Sequence, residues 1–590
     1  MKTSLAWLLA LAASAAFSVS GCILSNFEIE DANAMGGTAG GGTAGATYAG
    51  TGSAGIGGSA GGVTRISQPE LSDDEYVMVQ GTALERDAAS GLLANDTPVS
   101  LHVTGFSNSD PSRPRAFDAE LMVAADGSFH FAPPPRFFGR YHFSYTAENV
   151  VGQSASADVE IRVLPSEIDL DAIIEGIGGY VLYGVNGEAL GSAIDGASDV
   201  NGDGRADVLI GAPGANAGDG AAFVVFGKDD LESVEVKPLL ADSDEQRFVS
   251  LQGATGEGLG SSVAGLGDVD GDGAGDLAIG SSTAPGRVHF LFARDLGVTN
   301  VVPLAHEYSV VGDSAKVGVA ALLRGGGDVN GDAVPDSLLS SVNGDTGWLH
   351  VPFGNRTRAG ELGVTALPSA VVRGEAALDA FPLDAAFVGD LDGDGADEVL
   401  AASDSAFYLF RSGMSFPANA GATTVNGSRG GYRARRAAPG PASVAGLGDV
   451  NGDGVRDLAY CDGTTLCAVL LGPVSTLTQA TPVSGFRRKA SRLSVRGGDD
   501  VDGDSLKDLL FSDDGSAYLV YGDRAGLAPT NVAALGAQGF SVRAAAGGSI
   551  TAATLVGDVN GDHFADIAIA DANADAGSGR VYIVFGMASR

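Results

Sequence analysis

At 590 residues the chain is longer than one hydrophobic core usually serves, and 73 Asp and Glu against 35 Lys and Arg leave a net charge of −38. That balance excludes a nucleic-acid binder, whose footprint is basic. The seven His are scattered and form no His-Glu-x-x-His pair, so a zinc hydrolase has no support.

Residues 1–21 open with the basic Lys2, continue as an apolar run over 5–19 and end in Val19-Ser20-Gly21 before Cys22. This resembles the lipobox of bacterial lipoproteins, which implies a signal peptide cleaved before Cys22 and lipid on its thiol and new amino group. An ordinary secretory peptide with a chance Cys is the alternative; both export the chain. Elsewhere no apolar run reaches the ~20 residues that cross a bilayer, so attachment at an outer membrane or cell surface rests on lipid. Residues 22–71 are expected to be a disordered tether, because 36–62 are almost wholly Gly, Ala, Thr and Ser and cannot bury a core.

Residues 72–164 alternate with period two in Ser128-Phe129-His130-Phe131, Tyr141-His142-Phe143-Ser144-Tyr145 and Val159-Glu160-Ile161-Arg162-Val163. Short strands between Gly and Pro turns predict a β-sandwich. Gly91-Leu92-Leu93-Ala94-Asn95-Asp96, Ala125-Asp126-Gly127-Ser128-Phe129 and Phe138-Gly139 resemble the cadherin-like, Ig-like repeats of bacterial surface proteins. That resemblance implies a spacer or an adhesive module.

Residues 175–590 carry a nine-residue pattern seven times, with oxygen-bearing side chains at positions 1, 3, 5 and 9. The sets are Asp199, Asn201, Asp203, Asp207; then Asp268, Asp270, Asp272, Asp276; then Asp328, Asn330, Asp332, Asp336; and Asp390, Asp392, Asp394, Glu398. Three more follow: Asp449, Asn451, Asp453, Asp457; Asp500, Asp502, Asp504, Asp508; and Asp558, Asn560, Asp562, Asp566. Position 7 is expected to add its backbone carbonyl, from Arg205, Ala274, Val334, Ala396, Val455, Leu506 and Phe564. Alternate carboxylates on a tight Gly-bearing loop suit a hard cation that takes six to eight oxygens, so up to seven structural Ca2+ are expected. These positions hold 24 of the 73 acidic residues, and without metal they repel one another. An EF-hand is excluded, since position 12 is Ile210, Ile279, Leu339, Ala401, Tyr460, Phe511 or Ile569 rather than Glu.

An apolar strand follows each loop, and then a second strand ending in an aromatic and usually Gly, as in Phe223-Val224-Val225-Phe226-Gly227. Loop starts 51 to 69 residues apart suit one four-stranded propeller blade per repeat. Tyr180-Val181-Leu182-Tyr183 precedes the first loop, while nothing comparable follows Phe585, so the N-terminal strand is expected to complete the last blade. With Gly211-Ala212-Pro213 in the first repeat, the region resembles the FG-GAP repeats of the integrin α-subunit propeller. The fold class is therefore all-β, a seven-bladed propeller behind an Ig-like sandwich. The resemblance implies calcium loops on a lower face and ligand-holding loops on the opposite one, here 185–191, 211–220, 340–347 and 570–579. It does not extend to an inserted domain or an Asp-x-Ser-x-Ser motif.

Position 6 of the loops is Gly except for Ala333, Ser505 and His563. If it needs positive φ, those three cost on the order of 1 kcal/mol each and bind more weakly. Ten cationic residues crowd into 429–496, among them Arg435, Arg436, Arg487 and Arg488. They are read either as charges guarding sheet edges or as a patch for an anionic polymer or lipid headgroup. Cys461 and Cys467 flank a hairpin turn, and the sequence leaves open a disulfide or two free thiols. The expected function is surface binding of a protein or glycan ligand without catalysis. A structural envelope scaffold and a calcium-dependent hydrolase are the alternatives.

Overall fold

The computed structural model describes residues 67–588 except 99, 108–118, 186, 230–232, 236–246, 282, 293–300, 304–307, 314–316, 344–345, 355–359, 368, 375–379, 412–419, 422–430, 437–438, 463–465, 475–476, 478–480, 485, 487–491 and 528–529. Cys22, the signal segment, most of the tether, Arg487 and Arg488 lie outside the described residues.

The period-two residues of the N-terminal module form two facing sheets. One orders Asp74–Val79, Ser154–Leu164, Gly139–Glu148 and His102–Ser107, with the first pair parallel; the other orders Leu84–Arg86, Phe129–Ala132 and Glu120–Val123. Alternation puts Phe129, Phe131, Tyr141, Phe143, Tyr145, Val159, Ile161 and Val163 between the sheets. Tyr145, fully buried, shares its one hydroxyl proton between Asp96 Oδ2 (2.7 Å) and the Leu92 carbonyl (2.8 Å), so its polar atom is satisfied.

The remainder is a ring of seven blades. Blade 1 orders Ala193–Ser198, Asp207–Ala212, Ala221–Val225 and Phe248–Gln252, all antiparallel. Its second strand is buried at every residue, because neighbouring blades cover both faces and no polar alternation is needed. In blade 7, Gly179–Tyr183 pairs antiparallel with Arg580–Val584, so the N-terminal strand closes the ring as expected. Tyr180, Leu182, Val208, Phe223, Val581 and Ile583 form one buried cluster across that seam. A register shift interrupts the first strand of every blade just before its loop, at Gly196/Ser198 in blade 1 and Leu555/Gly557 in blade 7. This bulge turns the chain out of the sheet and delivers the nine-residue loop at the same place each time.

The blades are not four-stranded throughout. A short parallel strand covers the outer edge of six of them: Val301–Pro303, Glu361–Gly363, Ala420–Gly421, Thr530–Asn531, Glu167–Asp169 and Val234–Glu235. In most cases it comes from the segment joining strands 3 and 4 of the next blade, so each blade clasps its neighbour and hides an edge. Glu167–Asp169 serves blade 6 in this way, so the propeller sheets begin before residue 175. A strand of two or three residues leaves no periodic signal in the sequence. Among the described residues only blade 4, with outer strand Tyr432–Arg435, lacks this cover.

The sandwich packs against the propeller in a single apolar cluster that joins Phe137, Phe138, Ile173 and Ile177 to Val501, Ala565 and Met587. Gly178 is required there: its φ is +66°, and a Cβ would stand 2.1 Å from the Phe138 ring.

Candidate metal loops and the opposite face

In the first loop the side chains organise the backbone before any ligand is considered. Asp199 Oδ1 accepts from the N–H groups of Gly202 (2.6 Å) and Asp203 (3.1 Å), and its Oδ2 from Gly204 (2.8 Å). Asp203 Oδ1 accepts from Arg205 N–H (2.9 Å). Asp207 reaches both ways, to Val200 N–H inside the loop and to Gly227 N–H beyond the third strand, each at 2.9 Å. Position 9 thus pins the loop to two strands. The same double contact recurs at Asp336, Asp457, Asp508 and Asp566, each with a Gly N–H after the third strand.

Positions 4 and 6 both lie in the left-handed region. At position 6 the φ values are 88°, 94°, 88° and 84° for Gly204, Gly273, Gly395 and Gly454, and 62°, 70° and 72° for Ala333, Ser505 and His563. The strain anticipated for the three non-Gly loops is therefore present.

The donor set fits a divalent cation. Carboxylate oxygens of Asp268, Asp270 and Asp276 lie within 4.8 Å of one another, as do those of Asp390, Asp392 and Glu398 and those of Asp500, Asp502 and Asp504. Oxygen-only ligation on a flexible loop is what hard cations take. Burial pushes Asp207 up to about 7, with Asp203 and Asp199 adding to the rise against the N–H groups of Gly227 and Val200. Asp336 and Asp457 are raised to about 6 and Asp508 to about 8 for the same reasons. A cation among these groups reverses that penalty by favouring the charged form.

Neighbouring loops are chained. The position-8 N–H of one donates to the position-1 carbonyl of the loop in the preceding blade: Ala206 to Asp558 (2.8 Å), Ala565 to Asp500 (2.9 Å), Lys507 to Asp449 (3.1 Å) and Asp397 to Asp328 (2.6 Å). Loop 7 also meets the sandwich, where Arg140 lies over the Phe564 ring at 5.7 Å.

The opposite face holds two cavities that sequence reasoning missed. One, of about 860 Å³, lies between residues 252–257 and the turn at 283–286. In it His289 Nε2 and Glu257 Oε1 are 2.8 Å apart, and Arg287 pairs with Glu361. The other, of about 420 Å³, is the mouth of the central axis, lined by residues in or just before the first strands of all seven blades. Neither has a local signature, because its residues come from several repeats. Of the four loops expected on this face, residues 187–191 of the first meet 211–220 and 570–579 at the seam: Leu190 N–H donates to the Ser578 carbonyl and Gly214 N–H to the Glu188 carbonyl. The turns beside it hold Asn216, Ala217, Asp575 and Ala576 at φ of 51° to 60°. Ser340–Asn343 and Thr346–Gly347 are not loop; they belong to the paired strands Asp336–Asn343 and Thr346–Pro352.

The cationic patch needs correction. Arg436 is buried, its guanidinium bonded to Asp462 (2.7 Å) and to the carbonyls of Ser403 (2.7 Å), Gly440 (3.1 Å) and Pro441 (2.9 Å). It ties blade 4 to blade 5 and is not available to a ligand. Arg435 is exposed on the uncovered outer strand of blade 4, where a charge discourages edge pairing. Cys461 and Cys467, opposite each other on adjacent strands, are joined as a disulfide.

Residues 190–225 and 551–584 match the FG-GAP repeat, and residues 67–162 match the bacterial Ig domain. Over 223 residues, 35% of the chain, the sequence is 29% identical to integrin alpha-5 of Xenopus laevis; over 188 residues, 31% of the chain, it is 30% identical to integrin alpha-X of Mus musculus. The matches span only 20% and 14% of those two proteins. A crystal structure of BBS1N in complex with ARL6DN superposes at a TM-score of 0.37 and 10% identity over 66% of this chain and 90% of that one, a likeness too slight to bear on function. Segments of the chain thus match the FG-GAP repeat and the bacterial Ig domain, and about a third of it is similar to part of the integrin alpha chains.

Proposed function

We propose that the protein is an exported, lipid-anchored surface binder: Cys22 carries the anchor, Ca2+ in the nine-residue loops stiffens the propeller, and a protein or glycan ligand is held on the opposite face without catalysis. The observation that carries this reading is the division of labour between the faces. One face is given to repeated acidic loops chained to each other, and the other to concave, non-repeating surface. Backbone strain gathered at Asn216, Ala217, Asp575 and Ala576 on that second face supports it, since such conformations cluster at binding sites. Partial similarity to integrin alpha chains points the same way.

The test is adherence of the labelled full chain to intact cells and to purified envelope glycan, with calcium and with excess chelator. Calcium-dependent adherence that falls when Glu257→Gln and Arg287→Ser are introduced supports the reading. Adherence equal to that of an unrelated acidic protein overturns it.

A further inference from the structure

The cationic cluster seen in the sequence is dispersed by the fold, but two of its members meet again on the axis. Arg492 and Arg496 of blade 6 join Arg324 of blade 3 in lining the axial mouth. In a chain of net charge −38, three guanidinium groups converge on one concave site.

Their own partners do not use them up. Arg324 donates to Asp384 Oδ1 (2.8 Å) and to the Leu323 carbonyl (2.7 Å). Arg496 donates to the Val495 carbonyl (2.8 Å) and Ser443 Oγ (3.3 Å), and stands 3.6 Å from Asp384 Oδ2. Among the described residues, the buried Asp384 is the carboxylate that pairs with both Arg324 and Arg496. Its oxygens also accept the N–H groups of Ala385 and Val444 and the Ser443 hydroxyl, so its charge is shared among many donors. Each guanidinium has five N–H groups, and most remain unspent. Arg492, exposed, has no ion pair or hydrogen bond among the described residues. Asp195, buried nearby, also feels Arg324 and Arg496, so three guanidinium groups face two carboxylates and one is left in excess.

A surplus of fixed forks selects a planar oxyanion, which they hold bidentately. The walls add a second requirement. Ser192 and Ser261 line the mouth and spend their hydroxyl protons on the carbonyls of Ala189 (2.8 Å) and Gly280 (3.3 Å), so toward a ligand they offer lone pairs. Those lone pairs accept from hydroxyl groups. An acidic peptide side chain answers the guanidinium groups alone, whereas a sugar acid answers both. A cavity of about 420 Å³ also has room for a single ring.

We propose that the axial mouth binds the carboxylate of a sugar acid, with Arg492 and Arg496 gripping the carboxylate and the seryl oxygens accepting from ring hydroxyls. This deepens the surface-binding reading by naming a ligand chemistry for its open face.

The probe is sodium glucuronate, titrated calorimetrically into the full chain in calcium, beside glucose, sodium glutamate and sodium sulfate. Glucuronate is expected to bind at least ten-fold more tightly than any of the other three. Arg492→Ser, on an exposed side chain, is expected to weaken it about ten-fold with Tm unchanged. Arg496→Lys, which keeps the charge but loses the fork, is expected to weaken it several-fold. Equal binding of sulfate reduces the site to an unspecific anion trap and overturns the proposal, and equal binding of glutamate overturns it in favour of acidic peptides. No glucuronate binding, or binding indifferent to Arg492→Ser, overturns it outright. Cell adherence is scored separately, so adherence without glucuronate binding sinks this inference alone, and glucuronate binding without adherence sinks the surface reading alone.

Discussion

The backbone N–H of Ala206, in the loop of blade 1, donates to the carbonyl of Asp558, in the loop of blade 7, at 2.8 Å. The ring is therefore sealed on its loop face by the loops themselves as well as by the strand pairing of Gly179–Tyr183. Asp558 in turn holds the N–H groups of Gly561, Asp562 and His563 at 2.6, 3.0 and 2.7 Å.

Asp558→Ala removes the acceptor for all three and is expected to cost about 2–3 kcal/mol. Because the loops are linked, amide exchange at Ala206 is expected to quicken although blade 1 is unaltered. Hydrogen exchange by mass spectrometry checks this; protection of Ala206 identical to wild type refutes the linkage.

Calcium removal acts on all the loops together. A site kept at a hundred times its dissociation constant contributes about 2.7 kcal/mol, so excess chelator is expected to lower Tm by roughly 10 °C or more. A melt that does not move in chelator sinks the structural-calcium reading.

Ala333 holds φ at 62° where four other loops have Gly. Ala333→Gly relieves left-handed strain of about 1–2 kcal/mol and gives back about 0.4–1 kcal/mol through the freer unfolded chain. The net is a gain of at most about 1.6 kcal/mol, read most directly as cation affinity tightening by up to ~14-fold, since 1.4 kcal/mol is tenfold. Terbium luminescence titration of the full chain measures it; a weaker variant site rules out strain as the limit on that loop.

Loops and inner strands were legible because their signals are local. Asp207 lies six residues from Asn201 whatever the rest of the chain does, and Val208-Leu209-Ile210 announces a strand buried on both faces. The covering strands were not legible, since Thr530–Asn531 has too few residues for any period. Nor were the cavities. Arg324 and Asp384 lie 60 residues apart and meet only because blades 3 and 4 are neighbours in the ring.

Arg436 shows the same limit in one residue. Its sequence neighbours suggested a surface patch, but its partners Asp462, Ser403, Gly440 and Pro441 are brought to it by the packing of blades 4 and 5. Arg436→Ser removes the buried guanidinium that Asp462 and three carbonyls share and is expected to destabilise by about 3–5 kcal/mol. Exposed Arg435→Ser is expected to change stability by no more than about 0.5 kcal/mol. Urea denaturation of both variants separates them, and equal effects refute the assignment of Arg436 to the interior.

Asp74 sets a pH dependence in the sandwich. Burial raises it from 3.8 to about 7, and the carboxylate of Asp96 adds to the rise against the hydroxyls of Tyr145 and Tyr76. Its Oδ2 is buried without a hydrogen-bond partner. A carboxyl raised on folding contributes stability that is fully present below pH 3.8 and is lost as pH climbs through about 7, where the folded state must carry the charge. Asp74→Asn keeps the shape and removes the charge. It is expected to be more stable than wild type at pH 8, on the order of 1–3 kcal/mol, and level with it or slightly weaker at pH 5. Thermal melts of the full chain at the two pH values decide the matter. An offset between variant and wild type that is the same at pH 5 and pH 8 removes Asp74 as the titrating group.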